Sequence, residues 1–158
     1  MSENFPENRE LVLDRLIEAP RHAVWRCWTE PELLVQWFTP APWSTKSADV
    51  DLRPGGRFNT VMRDPDGNAH PNAGIYLDIV AGERLVFTDA MTEGFAPSES
   101  PFMVATLTFT DEDNATRYRA VVRHFSKESK LKHEEMGFHP GWNAAADQLE
   151  KLAKALRA

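Results

Sequence analysis

The spacing of apolar residues changes along the chain, and each change predicts a different secondary structure. Residues 9–18 alternate apolar and polar positions, which predicts a strand. Pro20 and Pro31 then stand where helices begin, and each precedes apolar residues at spacings of three and four. The segments 20–30 and 30–38 are therefore predicted to be two short helices.

The middle of the chain has short apolar runs separated by turn-forming residues. Links such as DPDGN and DEDN tolerate left-handed backbone or bond their own main chain, so they favour tight connections. The longest link, residues 92–101, contains two prolines, one glycine and two serines, and we expect a mobile lip over any cavity. Six consecutive antiparallel strands are predicted, at 45–53, 57–63, 74–80, 83–90, 102–110 and 116–125.

The last part of the chain returns to a helical period after His139 and Pro140. One apolar face about four turns long is predicted there, formed by Trp142, Ala145, Leu149, Leu152 and Leu156. Such a helix must cover an apolar surface, and the inner face of the preceding sheet is the one available. The sequence therefore predicts an α+β fold in which an antiparallel sheet packs on a long C-terminal helix.

The glycine pair in DLRPGGRF, residues 51–58, raises the question of a phosphate-binding loop. Such a loop needs backbone amides that converge at the start of a helix, whereas the strand-like run FNTVMR follows here. We therefore interpret Gly55 and Gly56 as positive-φ residues of a hairpin corner.

Composition narrows the class of protein. A chain of 158 residues with 42% hydrophobic residues can enclose one core, so a single domain is expected, with its core at about 9–157. The 18 basic and 24 acidic residues are scattered, which favours neither nucleic acid nor an anionic membrane as a partner. The start of the chain lacks the pattern of a signal peptide, and no apolar run approaches the roughly 20 residues of a membrane span. A cytoplasmic protein is expected.

Several strings in this order resemble a known family. EAPRHAVWRCWTEPELLVQWF at 18–38, DLRPGGRF at 51–58, GIYLDIV at 74–80, ERLVFTD at 83–89 and GW at 141–142 are similar to the SRPBCC (START-like) superfamily. Within it they resemble the family named for the activator of the heat-shock protein 90 ATPase. The resemblance implies a helix-grip fold, with a curved sheet of about seven strands around the final helix and two short helices after the first strand. It also implies a cavity for a hydrophobic ligand between sheet and helix.

Strand period predicts which side chains reach that cavity, because residues two apart share one face of a sheet. His124 belongs to the less charged face of its strand, and Tyr76 points inward unless a bulge reverses its register. The predicted ligand-binding residues are Phe58, Met62, Tyr76, Phe87, Asp89, Met103, Leu107, His124, Trp142 and Leu149.

Asp89 and His124 are the polar exceptions on these apolar faces. A carboxylate and an imidazole in a dry cleft can perform general acid/base chemistry, and Tyr76 would complete such a set. We favour instead a histidine that caps a backbone group or orients a ligand, and we assign no catalytic residue. The segment HEEMGFH lacks the spacing of a helical zinc site because residue 137 is glycine, so neither metal nor cofactor is predicted.

The function expected from these features is the binding of a small hydrophobic or aromatic molecule between the sheet and the C-terminal helix. The superfamily also contains polyketide cyclases, so an enzyme of cyclase or dehydratase type is the alternative. The family's name suggests a regulator of a chaperone ATPase, but the eukaryotic activators carry a separate amino-terminal domain that a chain this short is not expected to hold. The resemblance also implies that a homodimer can form.

Overall fold

The structure, a computed structural model, describes residues 5–156. A short 3-10 helix, Glu7–Arg9, precedes the first strand. The remaining elements, in chain order, are β1 Glu10–Ile17, α1 Arg21–Thr29, α2 Pro31–Leu34, β2 Ser44–Val50, β3 Phe58–Arg63, β4 Ala69–Asn72, β5 Ile75–Val80, β6 Arg84–Thr88, β7 Met91–Thr92, β8 Ala96–Pro97, β9 Met103–Glu112, β10 Ala115–His124, α3 Lys127–Glu135 and α4 Phe138–Leu156.

The strands form a large antiparallel sheet and a smaller one that continues from it. The large sheet has the order β1-β10-β9-β6-β5, and the smaller has the order β2-β3-β4. The two meet where the N–H of Phe58 donates to the carbonyl of Gly74 and the N–H of Tyr76 donates to the carbonyl of Gly56, at 2.9 and 3.1 Å. Strands β7 and β8 make a separate short hairpin.

Helix α4 packs its apolar stripe on the inner face of the large sheet. Ala145 and Leu149 are buried, and Trp142, Leu152 and Leu156 are partly buried against the same core. At the edge of this contact the Arg15 guanidinium lies 2.9 Å from a carboxylate oxygen of Asp147, which fixes β1 beside the helix. The predicted α+β helix-grip fold is confirmed.

An aromatic cluster fastens the two short helices to the sheet. Trp28 of α1 is 1% exposed, and its ring lies within 6 Å of the rings of Trp37, Phe38 and Phe87. Its indole Nε1–H donates to the Tyr118 hydroxyl of β10 at 3.2 Å. Edge-to-face rings at these distances contribute energy beyond the area they bury, so the cluster forms a rigid layer between helix and sheet.

The only cysteine of the chain lies under this cluster. Cys27 is completely buried, and its carbonyl accepts the indole N–H of Trp37 at 2.9 Å. Burial raises the pKa of its thiol to about 12.

Some elements differ from their predicted bounds. Helix α2 ends at Leu34 instead of residue 38, and the following residues form turns before Pro40. The exposed strand β4 and the β7–β8 hairpin were not predicted, because neither has an alternating burial pattern. None of the residues 92–101, which we expected to form a lip, lines either of the two cavities described below.

Helix α3 was not predicted. It has no buried residue and hence no apolar stripe, so hydrophobic spacing cannot reveal it. Its local signal is the N-cap Ser126, whose Oγ accepts the N–H of Ser129 at 3.0 Å. Helix α4 also begins earlier than predicted, at Phe138.

Two further expectations concern the extent of the domain and the absence of a membrane span. The predicted core at about 9–157 includes residue 157, which lies outside the described residues, and the single domain stays a prediction. No helix within residues 5–156 has both the length and the apolar character needed to cross a membrane.

The glycine pair is structural, as predicted, but its two members act differently. Gly55 has φ of +82°, in the region that favours glycine. Gly56 does not have a positive φ; it is required because a Cβ there would overlap the carbonyl oxygen of Asp51. The corner is therefore held by one conformational and one steric constraint.

Replacing Gly56 with alanine should destabilise the protein by about 1–3 kcal/mol, because backbone must move to admit the methyl group. The measurement is the free energy of unfolding in urea. Gly141→Ala is the matched control, since a Cβ at Gly141 meets no atom within 4 Å, and its stability should be unchanged or raised by up to about 1 kcal/mol. Equal stability of the two variants would contradict the steric explanation.

Candidate functional site

The main cavity lies between the sheet and the amino-terminal half of α4. Its volume is about 240 Å³. The walls come from α1 and the turns after α2, from four strands, and from α3 and α4. The lining residues are Trp28, Trp37, Phe38, Pro40, Met62, Phe87, Met103, Tyr118, His133, Gly141, Trp142 and Ala145. Aromatic and thioether side chains dominate this surface, and no lysine, arginine, aspartate or glutamate of residues 5–156 lines it.

A smaller cavity of about 130 Å³ adjoins the first. The two share Phe38, Met62, Phe87 and Met103 in their walls, so these side chains separate one space from the other. Polar residues also line the smaller cavity, among them Thr60, Asn72, Thr88 and Asp89.

The structure places most of the predicted ligand-binding residues at these cavities. Met62, Phe87, Met103 and Trp142 line the main cavity. Lining the smaller one are Phe58, Met62, Phe87, Asp89 and Met103. Alternation along the strands therefore points to the face of the sheet that lines these cavities, and ligand binding by these residues stays a prediction.

Four predicted residues lie elsewhere in the core: Tyr76, Leu107, His124 and Leu149 are buried and line neither cavity. Leu107 and Leu149 are both 0% exposed, in the part of the interior where α4 is packed without a gap. Tyr76 precedes the suspected β-bulge, which the structure shows between Tyr76 and Asp78. Strand period gives the face of a residue but not its distance from the point where helix and sheet diverge.

The polar residues considered for acid/base chemistry have other partners. Asp89 Oδ1 accepts the backbone N–H groups of Phe102 and Met103 at 2.9 and 3.1 Å. His124 Nδ1 lies 2.9 Å from the Arg9 carbonyl oxygen. The hydroxyl of the third candidate, Tyr76, has no hydrogen-bond partner among the described residues, and burial raises its pKa. No hydrogen bond between described residues joins Asp89 to His124, so the two carry structural contacts.

The second ring nitrogen of His124 leads to a residue that sequence reasoning missed. His124 Nε2 lies 2.9 Å from Nδ1 of His133 on α3, and His133 lines the main cavity. The His133 ring also contacts Phe102 and Phe138, at centroid distances of 5.0 and 5.1 Å. The sequence suggested only a metal-binding role for His133. Because α3 was not predicted, the direction of the His133 side chain could not be predicted either.

Both histidines are held in the uncharged form. Burial, and secondly the neighbouring His124, lowers the pKa of His133 to about 4. Burial also lowers the pKa of His124, although its bond to the Arg9 carbonyl acts in the opposite direction. At neutral pH the pair therefore adds polarity to the cavity wall without adding charge.

The fold and the cavity together define the class of protein, a helix-grip domain of the SRPBCC (START-like) type. The family described as "Activator of Hsp90 ATPase homolog 1-like protein" matches residues 18–154, and the chain belongs to that family. No curated protein gives a significant match.

Solved structures of bacterial proteins share this architecture. A protein of Nitrosomonas europaea is 42% identical, covers 97% of this chain and 99% of its own, and superposes with a TM-score of 0.93. A protein of Mycobacterium smegmatis is 26% identical over 95% of this chain and 93% of its own, with a TM-score of 0.79. A protein of Arthrobacter aurescens is 25% identical over 94% and 88%, also with a TM-score of 0.79.

Acid should destabilise the protein partly through His133. Its pKa of about 4 in the folded state lies below the ordinary value of 6.5, so the unfolded chain binds more protons between these two values. Stability should therefore fall as the pH drops from about 6.5 to about 4. Since solvent weakens the effect at a partly buried ring, the contribution should be on the order of 1 kcal/mol.

The measurement is the free energy of unfolding across this pH range for the wild type and two variants. His133→Asn should lose less stability than the wild type, whereas His139→Asn, at a half-exposed ring, should follow the wild type. An identical pH dependence of His133→Asn and the wild type would contradict the assignment.

Proposed function

We propose that this protein binds a small, mostly apolar molecule in the main cavity between the sheet and α4. The observation that carries the proposal is the wall of that cavity, where apolar side chains surround a space of about 240 Å³ and His133 and Tyr118 supply polar groups. Concave sites with apolar walls and a few placed polar groups are typical of small-molecule binding.

The shape of the wall favours a compact ring system over a long chain. Trp28, Trp37 and Phe38 form one side, and Trp142 lies on the helix opposite the sheet. These flat surfaces bury an aromatic or alicyclic ligand with little loss of side-chain freedom, because each ring already packs against another ring. The adjoining cavity of about 130 Å³ gives a larger ligand room to extend if Phe38 or Met62 moves.

The alternatives have less support at this site. A cyclase or dehydratase needs convergent acid and base groups, and Asp89 and His124 bind other partners. The chaperone-regulating role rests on the name of the family, and no group at the cavity favours it. The homodimer expected from the resemblance stays a prediction.

Filling the cavity from α4 should block binding. Gly141 lies one turn before Ala145 on the buried face of the helix, and a Cβ there meets no atom within 4 Å, so Gly141→Leu can place its side chain in the space. We expect binding of an aromatic ligand to weaken at least about tenfold, which corresponds to 1.4 kcal/mol. Binding can be followed through tryptophan fluorescence, because three tryptophans line the cavity.

The control is Gly141→Ala, which changes the same helix position without filling the space and should bind as the wild type does. The proposal would be refuted if no member of a panel of small aromatic and alicyclic compounds binds the wild type. Full affinity in Gly141→Leu would show that the ligand occupies another place.

A further inference from the structure

The hydrogen bonds of the two histidines determine which ring nitrogens carry protons. A carbonyl oxygen can only accept, so the 2.9 Å contact with the Arg9 carbonyl requires a proton on His124 Nδ1. A neutral imidazole has one N–H, and His124 Nε2 is therefore an acceptor. His133 Nδ1, 2.9 Å away, must be its donor. The chain of bonds leaves a lone pair on His133 Nε2.

Within residues 5–156 this lone pair has no hydrogen-bond partner. Among the described residues no donor bonds to His133 Nε2, while the residue itself lines the main cavity. Burial is the largest effect on the pKa of His124 and lowers it, while the bond to the Arg9 carbonyl raises it. The nearby charges oppose each other, since Lys130 lowers this pKa and Asp89 raises it. The neutral form of His124, from which these tautomers follow, is thus the stable form at neutral pH.

A second polar group in the same wall has the opposite character. The Tyr118 hydroxyl accepts the indole N–H of Trp28 at 3.2 Å, and its own proton is donated to none of the described residues. Burial raises its pKa, so the proton stays in place at neutral pH. Among the lining side chains, His133 therefore offers a hydrogen-bond acceptor and Tyr118 offers a donor.

We infer that the ligand is a neutral ring compound with a hydroxyl group, a phenol or an alicyclic alcohol, and that this hydroxyl donates to His133 Nε2. This inference rests on the proposed function and specifies its ligand. A hydroxyl can donate to His133 Nε2 or accept from the Tyr118 hydroxyl. A buried ligand hydroxyl would therefore lack a hydrogen bond only if it reached neither group. His124 is the positioning residue, because it fixes the tautomer of His133.

The same geometry disfavours a carboxylate beside His133. A carboxylate has no proton to donate, so it would direct its lone pairs against that of His133 Nε2. The lining also contains no lysine or arginine within residues 5–156 that could neutralise a buried charge. Fatty acids and aromatic acids should therefore bind less tightly than alcohols of the same size.

The binding experiment compares naphthol, naphthalene and naphthoate at neutral pH, with tryptophan fluorescence or calorimetry as the readout. The wild type should bind naphthol about tenfold more tightly than naphthalene, as expected for one buried hydrogen bond, and naphthoate most weakly. In His133→Asn the advantage of naphthol should fall to about twofold or less. The asparagine amide can still donate to His124 Nε2, but it has no atom at the position of His133 Nε2.

His139→Asn is the matched control and should keep the preference for naphthol. Equal binding of naphthol and naphthalene, tighter binding of naphthoate, or a preference that survives in His133→Asn would overturn the inference and leave the proposed function standing. If none of the three compounds binds the wild type, the proposed function fails.

Nitrogen NMR of the imidazole rings tests the tautomers directly and does not depend on a variant that folds. Both His124 and His133 should be protonated at Nδ1 and unprotonated at Nε2, which is the less common tautomer of free histidine. On binding naphthol, the signal of His133 Nε2 should shift toward that of a hydrogen-bonded nitrogen. A proton on His133 Nε2 in the free protein would overturn the inference.

Discussion

The packing of Trp28 is the interaction on which the other features depend. This one side chain contacts the turns after α2 through Trp37 and Phe38, contacts β6 through Phe87, and bonds to β10 through Tyr118. Because the indole is rigid and both its face and its N–H are engaged, the helices cannot slide over the sheet without losing several contacts together. The side of this same cluster that faces the interior space forms part of the wall of the main cavity. Interiors normally close up to high density, and an open space persists where stiff rings hold its sides apart.

Much of the fold follows from where apolar residues stand in the sequence. The alternation in β9 and β10 and the stripe on α4 reflect which side chains are removed from water, and that property can be read from spacing alone. Helix α3 has no such signature, since none of its side chains is fully buried and His133 is only partly so. Only part of the candidate site could be predicted, because spacing gives the face of a strand and no more. Met103 and Leu107 share one face of β9, but only Met103 reaches the cavity, because the separation of helix and sheet is a tertiary property.

His133 shows the limit of reasoning from residue types. Histidine and glutamate are clustered in its segment, and residue types alone point there only to a metal site. The role that the structure suggests depends on contacts with other parts of the chain. The Arg9 carbonyl determines the tautomer of His124, and His124 determines that of His133. Asp89 illustrates the opposite case, since a residue typical of catalysis serves to bind two backbone N–H groups. Members of one fold family can therefore differ in function through a few groups on the cavity wall while the framework stays the same.

The burial of Cys27 has a practical consequence. Its thiol is shielded by α1 and carries a pKa of about 12, so the reactive thiolate is nearly absent while the helix is in place. As the chain contains no other cysteine, a thiol-specific reagent can modify it only during excursions in which α1 leaves the core. The rate of modification therefore measures how often the aromatic layer opens. A molecule bound in the cavity would slow this modification, so binding could be detected without an added label.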